Sequence, residues 1–137
     1  IPDRIVRLKK AYHNNELLAV IVKFTDIDKE KNFVTNNDED FQVASFNLKS
    51  GEKILNHYHP KQERKIFSTS EMITLIEGKI KIKIFDLEEN LVHSEILTSG
   101  DSVALLRGGH GIEIIENSKF IESKQGPYVE KSDKIRF

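Results

Sequence analysis

Residues 79–84 read Lys-Ile-Lys-Ile-Lys-Ile, an unbroken alternation of charged and β-branched apolar side chains. A period of two is the signature of a strand with one buried and one wet face, so Ile80, Ile82 and Ile84 are expected inward and Lys79, Lys81 and Lys83 outward. The lysine stripe reads as a solvent face that also discourages edge-to-edge pairing. No comparable helical period occurs elsewhere. Apolar or alternating stretches at 16–24, 41–48, 53–59, 71–76, 91–97, 102–106, 110–114 and 119–125 are separated by Gly, Asn, Asp and Pro clusters. About nine short strands with such regular turn signals predict an all-β, antiparallel sandwich or barrel. Glu77-Gly78 is expected to be a tight hairpin turn, and 25–40 and 60–70 are expected to be long loops.

The 137 residues fit one domain, with no linker or internal repeat. With 21 basic and 22 acidic residues, no basic surface is indicated for nucleic acid. The lack of cysteine excludes disulfides and thiolate catalysis and fits a reducing compartment. No apolar run approaches the ~20 residues of a membrane-spanning helix, and no signal peptide is visible. These features predict a soluble, cytoplasmic protein.

Chemistry-bearing residues cluster between Gly51 and Gly78, with one more at 110. His57 and His59, two apart on an expected strand, share a face. Glu71 shares a face with Ile73 and Leu75, so its carboxylate is expected on the apolar side. His110 lies in phase with Ile112 and Ile114 and is expected to point the same way. Imidazoles beside a carboxylate make a nitrogen and oxygen donor set for a divalent metal. Glu63 is a rival carboxylate, but it sits between Gln62 and Arg64 in a charged loop and is expected to be solvated. His13 and His93 are also expected to be solvated.

The spacing of Gly51, His57, His59, Glu71 and Gly78 resembles the first motif of the cupins, and Gly100, Gly108, Gly109 and His110 resemble the second. Two departures are visible. The gap from His59 to Glu71 is longer than the usual one, and a proline expected before His110 is absent, with Asn117 too far along to match. The phrases GGHGIE and KQGPY are similar to small bacterial single-domain cupins. The resemblance covers roughly residues 42–125. It implies a double-stranded β-helix (jelly-roll) barrel, a homodimer, and metal ligation by His57, His59, Glu71 and His110. The ion would be divalent Fe, Mn, Ni, Cu or Zn, and the sequence does not choose among them. Arg64, Lys124, Gln125 and Tyr128 are candidates for holding a polar substrate at the barrel mouth. Lys61, Arg64 and Lys65 are expected to hang over the metal.

Three functions are compatible with these residues. The favoured one is a metal-dependent enzyme, such as an oxygenase or isomerase, acting on a small polar or anionic molecule that could be carbohydrate-related. The others are a non-catalytic small-molecule-binding or sensing protein, and a metal-free sugar-nucleotide isomerase or epimerase using the histidines as acid/base groups. The residues assign no catalytic group individually.

Overall fold

The computed structural model describes residues 9–137. Eight strands account for most of the regular structure among them: β1 (Lys9–His13), β2 (Glu16–Val22), β3 (Lys31–Phe33), β4 (Ala44–Phe46), β5 (Glu71–Phe85), β6 (Leu91–Thr98), β7 (Ser102–Leu105) and β8 (Gly109–Lys124). A four-residue helix, α1 (Glu130–Asp133), lies in the tail. No helix among the described residues is long and apolar enough to cross a membrane.

The protein is mostly antiparallel β, as expected. Strands β1-β2-β7-β5-β6 follow one another in a six-stranded sheet, with β8 also paired to β5, and β3-β4 form a separate two-stranded sheet. The long strand β5 organises everything else. Its first half, Glu71–Thr74, pairs with β7, its second half, Lys79–Phe85, pairs with β6, and β8 runs beside both halves.

Two expectations about these strands are corrected. Glu77-Gly78 is no hairpin: the chain passes through it without reversing, so 71–76 and 79–84 belong to one 15-residue strand. Residues 110–114 and 119–125 likewise merge into one 16-residue strand, β8. Both strands bend where they meet. The β5–β8 register slips between Leu75 and Ile80, opposite 114–120. Gly78 (φ +108°) makes that bend possible, because a Cβ there would lie 2.3 Å from the Asn117 carbonyl oxygen.

The bend folds the two halves of β5 and β8 against each other. Ile73 and Leu75 from one half and Ile80, Ile82 and Ile84 from the other join Ala19, Ile21, Leu97, Val103 and Leu105 in a single buried cluster. The inward isoleucines of the alternating stretch are therefore borne out; each contributes about 1.5–3 kcal/mol by burial. A second cluster forms on the back of β2 and β7, where Val20, Val22, Ala104 and Leu106 are covered by Val34 and Val43 from the segment containing β3 and β4. The sheet is open: Lys9 of β1 reaches Glu95 of β6 at 2.8 Å, but no strand pairing joins β1 to β6 among the described residues. On its other side β8 pairs only with β5, and its outer edge has no partner among the described residues.

The expected strand at 53–59 is absent. Residues 52–67 adopt no helix, strand or turn, and every residue from 47 to 65 is exposed. Among the described residues, no backbone group from 53 to 69 has a backbone hydrogen-bond partner. The alternation there makes the segment eligible for a sheet, but a strand exists only beside another strand. The segment is an arm, anchored where the Asn47 N–H donates to the Glu30 carbonyl (3.2 Å) and where the Gln125 N–H donates to the Ser70 carbonyl (3.0 Å).

Candidate functional site

Strand β5 begins with Glu71, whose side chain points into the fold in phase with Ile73 and Leu75; the residue is only 8% exposed. Strand β8 begins with Gly109 and His110, and His110 lies directly opposite Ile84 on the same face. These two strand starts belong to opposite halves of the fold, and the bend at Gly78 turns them toward each other. As a result His110 Nε2 lies 2.8 Å from Glu71 Oε1, with a third of the His110 side chain still open to solvent. Glu71 is buried as expected, whereas His110, expected inward, stays exposed to solvent and meets Glu71 at its rim.

Hydrogen bonding to His110 is the largest influence on the Glu71 carboxyl and holds it below the usual carboxylate range. Burial opposes that shift, and the positive charges of Lys124 and Lys134 assist it. Lys124 pairs with Glu71 in the β5–β8 register. Its Nζ donates to Asp133 Oδ2 at 3.2 Å and lies 5.1 Å from the Tyr128 ring. The Asp133 contact, above all, raises the Lys124 pKa.

The C-terminal tail folds back over this corner. Phe137 meets Phe85 edge-on at 5.1 Å and also abuts Gly109, beside His110. Asp133, Lys134 and Phe137 therefore border the site, and nothing in their spacing would have announced it. Lys124 and Tyr128, named from the sequence, lie in this neighbourhood. Gln125 is exposed and its N–H holds Ser70, next to Glu71.

The remaining candidates are elsewhere. His57 and His59 lie on the exposed arm rather than on a strand, with their rings edge-to-face at 5.3 Å. Arg64 donates to Gln62 Oε1 at 3.3 Å, on the arm itself. His110, Lys124 and Lys134 are the charged groups that act on Glu71, and Lys61, Arg64 and Lys65, expected over the metal, lie exposed on the arm. Glu63 is solvated on the same arm, as anticipated.

The four residues expected to ligate a metal do not converge within one chain. Among the described residues, one group of three or more His, Asp or Glu side chains has ligand atoms within 4.8 Å of one another: His13, Asp86 and Glu88. Asp86 is already engaged there, because its Oδ1 accepts the N–H groups of Glu88 (2.9 Å) and Asn90 (3.0 Å) and so caps the β5–β6 turn. His13 lies 3.6 Å from Asp86, and His93 lies 2.8 Å from Glu95, so both histidines expected to be merely solvated have acidic neighbours.

Within one chain, then, a nitrogen donor and an oxygen donor are held together at a half-open corner beside two lysines. These are donor types that a divalent metal accepts, and among the described residues no further His, Asp or Glu ligand atom groups with them within 4.8 Å. The chain matches no protein-family model and shows no significant match to any curated protein or solved structure.

Proposed function

We propose that the chain is a metal-binding protein of the cupin kind, a double-stranded β-helix when its sheet is complete, working as a metal-dependent enzyme on a small polar or anionic molecule. The observation that carries this reading is the Glu71–His110 contact at 2.8 Å: two residues of the expected donor set, far apart in sequence, converge in the partly buried corner where both strands begin. Lys124 and Lys134 bring positive charge to that corner, shared with Asp133 at 3.2 and 3.6 Å, and offer donors to an oxygen-rich molecule. His57 and His59 are the remaining donors of the set, carried on the arm.

The same contact favours a second reading. A carboxylate that holds an imidazole in place is the arrangement of an acid/base pair, and His110 oriented by Glu71 is a candidate proton-transfer group for a metal-free isomerase or epimerase.

Metal content by plasma mass spectrometry, on protein purified without a histidine tag, separates the two. The metal reading expects a bound divalent ion that is lost in His110→Ala, reduced in His57→Ala, His59→Ala and Glu71→Gln, and unchanged in Glu63→Gln. Protein that takes up no Fe, Mn, Ni, Cu or Zn on titration refutes it. Small carboxylates and sugar phosphates are expected to raise the melting temperature of wild type and not of His110→Ala. A broad anionic panel without effect would refute the substrate class.

A further inference from the structure

The fold leaves two things unpartnered, and they are complementary. One is the outer edge of β8, sixteen residues long and unpaired among the described residues. The other is the arm, whose backbone from 53 to 69 bonds to no other backbone among them. An open edge of that length is a template for another strand. An arm carrying Leu55 at 83% exposure, Tyr58 at 86% and Phe67 at 96% has apolar surface to cover.

Their side chains match as well. On an extended arm Leu55, His57 and His59 share one face, and Ile54, Asn56 and Tyr58 the other. The inward face of β8 presents His110, Ile112 and Ile114 in the same alternation, and Ile114 is 55% exposed. Antiparallel addition with His57 or His59 opposite His110 sets Leu55 opposite Ile112 or Ile114. Both histidines then face the corner that holds Glu71.

The arm does not do this within its own chain. It leaves the body beside β3 and β4, where Ile54 and Leu48 border a groove with Phe46 and Lys31, and then runs out into solvent. His57 and His59 lie three and five residues beyond Ile54, a reach of roughly 10–17 Å, so an acceptor edge has to sit close to where the arm leaves its own body. We propose that two copies of this chain exchange arms, each adding residues 53–59 as a strand to the outer edge of the other's β8 and so delivering His57 and His59 to the other's Glu71–His110 pair. A two-fold axis satisfies both edges and both arms at once, because each copy has one of each. The inference deepens the proposed function by assigning the two missing donors to a second chain. The pairing itself rests on the arm and the edge and does not require a metal.

The test uses the absence of cysteine from the chain. Two single-cysteine proteins are made, Asn56→Cys on the arm's outward face and Glu113→Cys on the outward face of β8, one of them carrying a mass label. They are co-refolded as an equimolar mixture with chelator and treated with a short bis-maleimide. Exchange predicts a cross-linked heterodimer of the labelled and unlabelled chains. It also predicts a light-scattering mass twice the 15.8 kDa of one chain at micromolar concentration. The single chain carrying both substitutions gives the complementary result: intramolecular cross-linking of a monomer would show the arm folding onto its own edge and would overturn the proposal. A wild-type monomer mass across the micromolar range would overturn it equally, as would arm-to-edge cross-links absent from a true dimer. The metal reading is judged separately. Exchange without metal uptake leaves the exchanged dimer standing and removes the metal, whereas metal uptake by a monomer does the reverse.

Discussion

Asp101 is 3% exposed and holds a turn to the strand behind it. Its Oδ1 accepts the Phe24 N–H at 2.8 Å, and its Oδ2 accepts the Thr98 N–H at 2.8 Å, the Thr98 hydroxyl at 3.2 Å and Lys23 Nζ at 3.3 Å. The carboxylate therefore joins the β6–β7 turn to the segment leaving β2. Asp101→Ala removes the acceptor from two backbone N–H groups. Hydrogen bonds to a charged group are worth about 1.5–3 kcal/mol each, and the coupled pair is not fully additive, so the expected loss is about 3–5 kcal/mol. Asp101→Asn keeps one carbonyl oxygen but presents an amide NH2 to the other donor, for an expected loss of about 2–3 kcal/mol.

The pH dependence separates charge from shape in the same residue. Burial is the largest single influence on the Asp101 carboxyl and pushes it up, but the Thr98 and Phe24 N–H groups and Lys23 together outweigh it and hold it below its ordinary value. A depressed carboxyl stabilises the fold fully above its unfolded pKa, near 4, and that stability is lost as pH falls through the lower folded value. Urea unfolding at pH 7, 5 and 3 should show the gap between wild type and Asp101→Asn unchanged from pH 7 to 5 and narrower at pH 3. The other carboxyls titrate in both proteins and cancel in the difference. A gap below about 1 kcal/mol at pH 7, or one independent of pH down to 3, would refute the assignment.

Gly78→Ala should cost more than about 1–3 kcal/mol, because a clash with the Asn117 carbonyl adds to the positive φ, whereas Gly51→Ala, at φ +92° with no atom within 4 Å, should incur only the backbone cost. Thermal melts of the pair check the difference, and equal losses would mean that close approach is not what Gly78 provides. Arg107 donates to the Leu17 carbonyl (2.8 Å) and to both oxygens of Glu39 (2.6 and 3.4 Å). Arg107→Ala should therefore cost about 1.5–3 kcal/mol and speed amide exchange around Glu39, and unchanged protection there would refute the link.

The sequence made one half of the candidate site legible and not the other, for a physical reason. Glu71 could be placed inward because it is in phase with Ile73 and Leu75, whose burial fixes the face of the strand. The bend that makes it meet His110 could not be read. A glycine after a glutamate serves equally well to reverse a chain or to let it pass close to another backbone, and the choice belongs to Asn117 and Ser118, which pack against it. Strand β1 was missed because Lys9, Lys10 and Tyr12 are exposed and Ala11 alone among its residues is buried. The arm differs again. Its alternation pointed to a strand over 53–59, and none forms, because pairing is a property of two segments and no segment pairs with the arm among the described residues. The unpaired arm and the unpaired edge are thus one fact seen from two sides. A second chain would satisfy both; with the described residues of one chain alone, the sixteen-residue edge and the apolar side chains at 55, 58 and 67 stay open to water, an exposure that β-sheet proteins ordinarily avoid.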